Sequence, residues 1–259
     1  MSPRAVANHR QHPIFRLPDG LQPVFRFCYI AFFVTSGAHV PQVRVWDLPT
    51  RVFHWLLVLL VSGLIATGQW GGDAMVWHFR LGYAVLVLLL FRLIWGLIGG
   101  HWSRFAVFVR SPLAVLRYVR GVSHGDPGLG HNPLGAYSVI ALLAILFAQV
   151  LSGLFSDDEI AATGPLSKLA NSQWVNWATD YHTEIGKFVL LGLVGLHIGA
   201  LLFYRWRGDR TMIPAMWHGF KPSATVSEIV RDNSRSRVGA LLSIAACAAA
   251  VAGLLTWLG

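Results

Sequence analysis

Charged residues and cysteines are scarce in this chain. Only 13% of the 259 residues are charged, and there are two cysteines, Cys28 and Cys247. An average soluble domain is about 25% charged, so a water-soluble globule of this composition is excluded. Without a C-x-x-C pair, a disulfide framework, a thiolate zinc site and a cysteine-ligated iron–sulfur cluster are excluded as well. Intrinsic disorder requires low hydrophobicity, whereas 54% of these residues are hydrophobic.

Acidic residues are also few. The chain holds 21 lysines and arginines against 12 aspartates and glutamates, which gives a formal net charge of +9. A basic chain is often a nucleic-acid binder, but the mean hydropathy here is +0.53. In so apolar a chain, the basic residues indicate the cytoplasmic loops of a membrane protein. The expected partner is therefore a lipid bilayer and not a nucleic acid.

Long apolar runs identify the predicted membrane-spanning segments. A helix needs about 20 apolar residues to cross about 30 Å of hydrocarbon. Five segments qualify, at about residues 52–70, 78–98, 134–155, 182–204 and 238–258. The sequence therefore predicts an all-α membrane protein with a core of four transmembrane helices and one extra, alanine-rich C-terminal transmembrane helix.

The connections between these segments alternate in charge. Basic residues prevail before the first span, between the second and third spans, and after the fourth, whereas acidic residues prevail in the other connections. The positive-inside rule then places the N-terminus in the cytoplasm and the C-terminal Gly259 outside. Tryptophans gather near both predicted boundaries, as they do in the aromatic belts of membrane proteins.

Three regions follow from this pattern. Residues 43–222 form the predicted four-helix core, and residues 223–259 hold a linker and the fifth helix. Residues 1–42 form an extension whose short apolar stretch, residues 24–38, is interrupted by Arg26. This stretch is consistent with an interfacial helix, a weak signal sequence or translation from upstream of the true start.

Four histidines lie within or at the ends of predicted spans, where an ionisable side chain is costly and therefore indicates a function. Because the chain reverses direction at each span, His54 and His197 lie near the cytoplasmic side, and His78 and His182 lie near the outer side. His197 follows His182 by 15 residues, which is about 22 Å of helix. The rotation of about 60° beyond four turns leaves both on broadly one face. A single histidine at a helix end is usually an interfacial side chain, but two depth-matched pairs are a stronger signal.

Paired histidines on different helices are suited to hold a b-type haem through two axial imidazoles. His54 and His197 are the predicted ligands of an inner haem iron, and His78 and His182 are those of an outer one. A haem with both axial positions filled is suited to electron transfer and not to oxygen binding. No C-x-x-C-H motif is present, so both haems are expected to be non-covalent. Together they would form an electron path across the bilayer.

Two arginines are the predicted partners of the haem propionates. Arg92 lies 14 residues after His78 on nearly the same face, and Arg51 precedes the first span. The alternative for Arg92 is that its side chain snorkels to the inner headgroups. Glycines in or beside the spans would let helices, or a flat macrocycle, approach closely. Four further histidines of the cytoplasmic connections are interpreted as solvated: His101, His124, His131 and His218.

Five stretches of sequence carry a further pattern. They are VWDLPTRVFHW around His54, HFRLG from His78 with Arg92 after it, GHNPLGAYSVIALL at the third span, GLFSDDEIAATGPL behind it, and YHTEIG with LVGLHIGALLFY around His182 and His197. In combination these motifs resemble the bacterial cytochrome b561 and nickel–iron hydrogenase b-type cytochrome family of diheme membrane proteins. The likeness covers about residues 43–222.

The resemblance implies a four-helix core with two haem b groups, ligated by the four histidines of the spans. It also implies electron transfer between the membrane quinone pool and a redox partner. In this family the partner is a hydrogenase, a periplasmic cytochrome c or another oxidoreductase subunit. The expected location is the bacterial inner membrane. The N-terminal extension and the fifth span depart from the family's plain pattern, and they leave the choice of partner and any enzymatic role open.

Two other functions stay open from the residues alone. A transporter would use the intramembrane histidines as a proton or metal relay, although Glu184 is the only candidate carboxylate in the spans. A non-redox membrane anchor subunit would not need histidines paired by depth. The acidic connection after the third span, with Asp157, Asp158 and Glu159, is a predicted docking surface for a basic partner, because complementary charge steers encounter.

Overall fold

The fold was obtained as a computed structural model that describes residues 41–121, 129–159, 162–223 and 232–258. The apolar stretch 24–38 and the rest of the predicted extension up to residue 40 lie outside the described residues. His124 and residues 224–231 of the predicted linker lie outside them as well.

Helices make up most of the described chain. In chain order the elements are β1 (Gln42–Arg44), α1 (Leu48–Trp70), a 3-10 turn (Gly72–Ala74), α2 (Met75–Ile98), a 3-10 turn (His101–Ser103), α3 (Phe105–Phe108), α4 (Pro112–Val119), α5 (Pro133–Phe155), a 3-10 turn (Ser167–Leu169), α6 (Ser172–Asp180), a π-helical segment (Tyr181–Gly186), α7 (Lys187–Trp206), α8 (Met212–His218), β2 (Phe220–Pro222) and α9 (Ser234–Leu258). The order places four core spans before a fifth long helix.

A capping side chain followed by proline begins two of the spanning helices. Asp47 precedes α1 and accepts a hydrogen bond from a backbone N–H of the first turn at 2.9 Å, and Pro49 follows within that turn. Asn132 precedes α5 and accepts in the same way at 2.7 Å, with Pro133 as the first helical residue. Proline suits these positions because the first N–H groups of a helix have no partner inside it. The D-x-P and N-P pairs of the sequence thus fix where both helices begin.

Five helices in the described part of the chain are long and apolar enough to cross a membrane, which confirms the predicted fold class of a multi-pass, all-α membrane protein. They are Leu48–Trp70, Gly72–Ile98, Pro133–Phe155, Ser172–Trp206 and Ser234–Leu258. Each begins before the predicted apolar run, because caps and polar first turns lie outside that run. The fourth differs most, since its 35 residues span about 52 Å.

The fourth span is not a regular α-helix. The segment Tyr181–Gly186 is π-helical and contains His182. Such a segment inserts about one extra residue, so the expected rotation from His182 to His197 changes from about +60° to about −40°. Both histidines still lie on broadly one side of the helix. Segments of this kind occur frequently at functional sites.

The second span lies at the centre of the bundle. α1, α5 and α9 all pack against α2, and α5 also packs against α7. Val85 and Leu89 of α2 are fully buried in this core. Side chains on the outer surfaces stay open, among them Leu59 at 68% and Leu97 at 72% exposure. Apolar exposure on this scale is expected of surfaces that face lipid.

The two ends of the bundle differ in charge, and they are named accordingly. The basic end comprises residues 42–47, 99–121, 129–132 and 207–223, and the acidic end comprises residues 71–74, 156–159 and 162–171. At the basic end β1 pairs with β2 in antiparallel register, with Val43 opposite Lys221. Asp232 forms ion pairs with Arg44 and Arg237 there. These pairs tie the start of α9 to the strand that precedes α1.

Candidate functional site

Two histidines meet near the acidic end of the bundle. The ring of His78, in the first turn of α2, and the ring of His182, in the π-helical segment, have centres 6.1 Å apart and planes at 87°. The alternating direction of the spans brings them to one depth, as the sequence predicts. The structure therefore places this predicted pair together.

Both rings are oriented through the same nitrogen. His78 Nδ1 lies 3.1 Å from the carbonyl oxygen of Leu64 and 3.2 Å from the hydroxyl of Thr67. His182 Nδ1 lies 2.8 Å from the carbonyl oxygen of Gln149. A neutral imidazole that donates through Nδ1 presents Nε2 as the lone-pair nitrogen, which is how metal-binding histidines are usually held.

Gln149 and His182 hold each other by reciprocal hydrogen bonds. Gln149 Nε2 donates to the carbonyl oxygen of His182 at 2.7 Å, while His182 Nδ1 lies against the Gln149 carbonyl oxygen. Ser152, one turn further along α5, places its hydroxyl 3.4 Å from the same ring nitrogen. Gln149 and Ser152 of the third span therefore both contact and orient His182.

Two glycines leave room for these rings. A Cβ added at Gly153 would lie 2.7 Å from His182 Cε1, and one added at Gly68 would lie 3.2 Å from His78 Cε1. Real Cβ atoms do not approach another atom as closely as the first distance. Gly153 is therefore required by the position of the His182 ring, and Gly68 allows α1 to lie beside His78.

The separation of the two rings fits a metal centre. Two metal–nitrogen bonds of about 2 Å each, with the imidazole radius on both sides, give a centre-to-centre distance of about 6 Å. In the described part of the chain, no group of three or more His, Cys, Asp or Glu side chains is able to hold a bare metal ion. Two imidazoles alone would leave a metal under-coordinated, whereas a porphyrin supplies the remaining nitrogens. The residues present thus fit an axially ligated haem.

The second predicted pair lies toward the basic end. His54 of α1 and His197 of α7 are near enough for their charges to interact. The Nδ1 atom of His54 is buried and has no hydrogen-bond partner among the described residues, and its ring meets Trp55 edge-on at 5.1 Å. His54 thus has an unused nitrogen in a site that is shielded from water.

Open space adjoins the faces that carry these histidines. Among the described residues, extensive helix contacts join α2 to α1, α5 and α9, and α5 to α7, but no extensive contact joins α1 to α7. A Cβ added at four glycines of α2 and α7 would meet nothing within 4 Å; these are Gly82, Gly192, Gly195 and Gly199. These four glycines do not serve close helix packing, so the space beside them is available to a flat macrocycle or to lipid.

Arg92 is buried within the protein. Only 3% of it is exposed, its guanidinium lies 4.7 Å from the centre of the Phe105 ring, and its Nη1 has no hydrogen-bond partner among the residues that the structure describes. A snorkelling arginine would reach outward to the headgroups, so this alternative does not describe the side chain. A buried guanidinium that lacks an acceptor is suited to bind an anion.

Arg51 has a partner in the short helix α8. Its Nη1 donates to the carbonyl oxygen of Trp217 at 2.6 Å, while its Nε has no partner within the described ranges. The bond satisfies a carbonyl at the C-terminal end of α8, where cations are favourable. Arg51 therefore has a structural contact in addition to its predicted role toward a propionate.

Asp47 organises the basic end from a fully buried position. Besides capping α1, it accepts hydrogen bonds through Oδ2 from Trp95 Nε1 at 3.1 Å, Gly100 N at 3.2 Å and Ser103 Oγ at 2.9 Å. Asp47 is not among the site residues predicted from the sequence. The available signal was an aspartate immediately before L-P at the start of an apolar run, which is a helix-start pattern.

His131 was interpreted from the sequence as solvated, and this is wrong. Its ring packs against Trp46 at 4.7 Å and Phe108 at 4.8 Å, and its Nδ1 is buried with no hydrogen-bond partner in the described part of the chain. Burial lowers the pKa of His131 to about 3, with further lowering by the charges of Arg92, Lys221 and His197. The ring is therefore neutral at physiological pH. A position outside the spans does not by itself imply exposure, because Trp46 and Phe108 pack against the His131 ring.

Comparison with known proteins gives one family and several relatives. A model of the family described as prokaryotic cytochrome b561 matches residues 45–219. A probable Ni/Fe-hydrogenase B-type cytochrome subunit of Cupriavidus necator is 24% identical over 222 residues, which cover 73% of this chain and 90% of that protein.

Two further relatives are similar over comparable lengths. A probable Ni/Fe-hydrogenase 1 B-type cytochrome subunit of Escherichia coli is 22% identical, over 68% of this chain and 89% of its own. A probable Ni/Fe-hydrogenase B-type cytochrome subunit of Bradyrhizobium diazoefficiens is 25% identical, over 69% of this chain and 85% of its own. No solved structure matches the chain.

Proposed function

The chain belongs to the prokaryotic cytochrome b561 family, and on that premise we propose that it holds two b-type haems and relays electrons across the bilayer between quinone or quinol and a redox partner protein. Haem b supplies reversible one-electron chemistry when it is bound. Family membership implies electron transfer in the membrane, which favours this function over a histidine-relay transporter or a non-redox anchor.

The arrangement of His78 and His182 carries the proposal. Their ring centres are 6.1 Å apart, which is the separation expected of two imidazoles bound to one metal, and both Nδ1 atoms are engaged by backbone carbonyl oxygens. That pattern fixes the tautomer and leaves Nε2 for a ligand bond. A relay of protons would instead need both ring nitrogens to exchange partners, which the bonds to Leu64 and Gln149 oppose.

The second haem rests on His54 and His197 at the other depth. The interaction between their charges and the unused Nδ1 of His54 support a second pair. Arg92 and Arg51, both with an unpartnered nitrogen, are the proposed partners of propionates near this haem. Two centres at different depths let an electron cross the hydrocarbon in steps.

The charges of the two ends suggest how the protein lies in the membrane. We place the basic end in the cytoplasm and the acidic end in the periplasm of a bacterial inner membrane, following the positive-inside rule. The redox partner would then meet the acidic end, near His78 and His182. The relatives named above are called hydrogenase cytochrome subunits, so a hydrogenase is the first partner to test, with a periplasmic cytochrome c as the second.

The decisive experiment is a spectrum and a haem count. The protein, purified in mild detergent, is expected to bind two haem b per chain and to show low-spin spectra typical of two axial imidazoles. A water-soluble quinol added to the oxidised protein should reduce the haems. A colourless preparation, or one whose haem is not low-spin, would refute the proposal.

A matched set of variants assigns the ligands. His54→Ala and His78→Ala should each remove one haem and leave the other, because the two residues belong to different pairs. His218→Ala changes an exposed histidine at the basic end and should retain both haems. Loss of both haems in each single variant, with the helical content unchanged, would contradict the assignment of two independent sites.

A further inference from the structure

Buried polar atoms without a partner are unevenly distributed in this protein. Seven such side-chain atoms occur among the described residues, and six of them are nitrogens that cluster toward the basic end: Arg51 Nε, His54 Nδ1, Arg92 Nη1, Trp102 Nε1, Arg104 Nε and His131 Nδ1. The seventh is Gln149 Oε1, beside the other pair of histidines. The nitrogens of arginine and tryptophan are donors only, so the basic end has an excess of buried donors.

Such an excess is costly unless something accepts the hydrogen bonds. Leaving one buried donor unsatisfied costs about 1–3 kcal/mol, and more for a charged group. Asp47 is a carboxylate near Arg92, but its two oxygens already accept from Thr50, Trp95, Gly100 and Ser103. Among the described residues these donors therefore lack an acceptor, and a carboxylate is an acceptor with no donor of its own.

Arg92 and His131 are joined by a wall of aromatic rings. The Arg92 guanidinium lies over Phe105, the Phe105 ring contacts Phe108 at 5.7 Å, and Phe108 contacts His131 at 4.8 Å. Trp46 closes the other side of His131 at 4.7 Å. These contacts hold a cation and a neutral imidazole in fixed positions at the same end of the bundle.

The site lies beside the second pair of histidines. The charges of Arg92, Lys221 and His197 all act on His131, so the four side chains share one neighbourhood. Lys221 adds a further positive charge; burial lowers its pKa, while Asp209 counteracts part of that effect. The neighbourhood is thus positive, rich in donors and adjacent to a predicted haem ligand.

We propose that Arg92 and His131, supported by the charge of Lys221, form a carboxylate site that receives a propionate of the haem held by His54 and His197. The inference rests on the proposed function. It assigns to His131 a positioning role that differs from ligation: Nδ1–H donates to a propionate oxygen while Arg92 supplies the charge. Because Arg92 is 3% exposed, a carboxylate that reaches it comes from within the bundle and not from a headgroup at the surface.

The test uses the holoprotein with His131→Leu and His131→Gln. Leucine removes the nitrogen donor, whereas glutamine keeps an N–H at similar reach. A His78→Ala background is expected to retain only the haem near His54. The potential of that haem can then be measured without overlap from the signal of the second haem. The readouts are the midpoint potential from a redox titration and the propionate bending bands of the resonance Raman spectrum. His218→Leu is the control at the same end of the bundle.

The expected result is a lower midpoint potential and shifted propionate bands in His131→Leu, because a less compensated carboxylate favours the ferric state. His131→Gln should restore most of the wild-type values, and His218→Leu should change neither readout. If leucine prevents folding, Arg92→Lys keeps the charge but loses the guanidinium donor fork, and it should shift the propionate bands in the same way.

Two outcomes would overturn the proposal. Unchanged potential and bands in His131→Leu would show that no propionate depends on His131, and a simultaneous loss of co-purified anionic phospholipid would identify a lipid site instead. A change from low-spin to high-spin haem would make His131 an axial ligand. If the haem is bound and low-spin but its potential and propionate bands do not change in these variants, this inference alone is refuted. If the wild-type protein contains no haem, the proposed function is refuted.

Discussion

The imidazole rings of His78 and His182 stand 6.1 Å apart and nearly perpendicular, although the two residues are separated by 104 positions in the chain. If an iron lies between the two rings, one ring alone is not sufficient to retain the haem. His182→Ala is expected to lower the haem content from two to one per chain and to remove one of two low-spin signals in the EPR spectrum. The haem near His54 should keep its signal, since its ligands are untouched.

A control for this prediction is available on the same helix. Thr183→Ala changes an exposed neighbour of His182 whose hydroxyl only bonds back to its own helix, at 2.9 Å from the Thr179 carbonyl oxygen. It should retain both haems. If Thr183→Ala loses the same signal as His182→Ala, the effect lies in the π-helical segment and not in ligation.

At Gly153, a single added methyl group is expected to change haem binding and stability. Its added Cβ would lie 2.7 Å from Cε1 and 3.0 Å from Nδ1 of His182, so Gly153→Ala must displace the ring or the third span. We expect loss or weakening of the haem near the acidic end, with a destabilisation of about 1–3 kcal/mol, the usual range for overpacking. Haem content and thermal unfolding in detergent measure the two effects.

Gly239 provides the matched substitution. It lies in α9, and a Cβ there meets nothing within 4 Å. Gly239→Ala is therefore expected to leave haem content unchanged and stability equal or slightly higher, because alanine favours helix over glycine. Equal haem loss in Gly153→Ala and Gly239→Ala would mean that the close approach to His182 is unimportant.

Much of the fold and part of the site could be predicted from the sequence. Hydropathy and charge alternation identified the five helices, because in hydrocarbon the length of a span is fixed by bilayer thickness. The depth of His78 and His182 followed from the chain's direction alone. Spans that alternate in direction across the bilayer bring these two rings to the same depth. They also leave apolar side chains such as Leu59 exposed on the outer surface of the bundle.

Other features depend on contacts between distant residues and have no local pattern. Nothing in the run YHTEIG indicates a π-helical segment, and nothing near Gln149 indicates its reciprocal bonds with His182. His131 lies in a loop that periodicity does not describe, so its position between Trp46 and Phe108 emerged only in three dimensions. Buried polar networks of this kind are set by tertiary packing.

The buried carboxylate of Asp47 should be among the side chains most sensitive to substitution at the basic end. Asp47→Asn replaces one of the two acceptor oxygens by an NH₂ group, whereas the donors from Thr50, Trp95, Gly100 and Ser103 all remain. At least one of these donors then lacks an acceptor, at about 1–3 kcal/mol each. A lower unfolding temperature is expected, together with weaker retention of the haem near His54.

An exposed aspartate serves as the comparison for this variant. Asp73 lies in the turn between α1 and α2 and faces solvent, so Asp73→Asn should leave the unfolding temperature within error of the wild type. If both variants behave alike, the hydrogen bonds of Asp47 contribute nothing measurable.

In the acidic connection after the third span, the structure distinguishes a residue that contributes charge alone from residues that also shape the loop. The docking prediction can therefore be tested with a single substitution. Asp157 Oδ1 accepts from the backbone N–H of Glu159 at 2.9 Å, and Asp158 Oδ1 accepts from that of Ala162 at 2.8 Å. Both aspartates therefore shape the loop. The side chain of Glu159 is exposed, so Glu159→Gln removes charge without removing those bonds. It should slow electron exchange with a basic partner at low salt by a few fold and have no effect at high salt, where charges are screened.

The comparison variant for docking is Asp157→Asn, which alters the loop itself. Its effect should persist at high salt, because a changed loop shape is not screened. Stopped-flow rates measured over a range of salt concentrations separate the two. An unchanged rate for Glu159→Gln at low salt would remove this residue from the docking surface.

Asp232 should make the protein's stability depend on pH. Burial alone would raise the pKa of Asp232, but its hydrogen bond with Arg237 and the charges of Arg237 and Arg44 outweigh burial and lower it below the ordinary value of 3.8. A carboxylate whose pKa is lowered on folding stabilises the protein fully above the unfolded pKa and loses that contribution as the pH falls through the folded one. The stability difference between wild type and Asp232→Asn should therefore be constant from about pH 5 upward and shrink below about pH 4.

A double-mutant cycle with Arg44 determines whether the contact itself is responsible. At neutral pH, Asp232→Asn is expected to lower the unfolding temperature in detergent, because Arg44, Arg237 and the Leu48 N–H all lose a charged acceptor. Arg44→Gln should lower the unfolding temperature less in the Asp232→Asn background than in the wild type, because its ion-pair partner is already absent. Strict additivity of the two substitutions would mean that this ion pair does not join α9 to the strand before α1, and that the fifth helix is held by its packing against α2 alone.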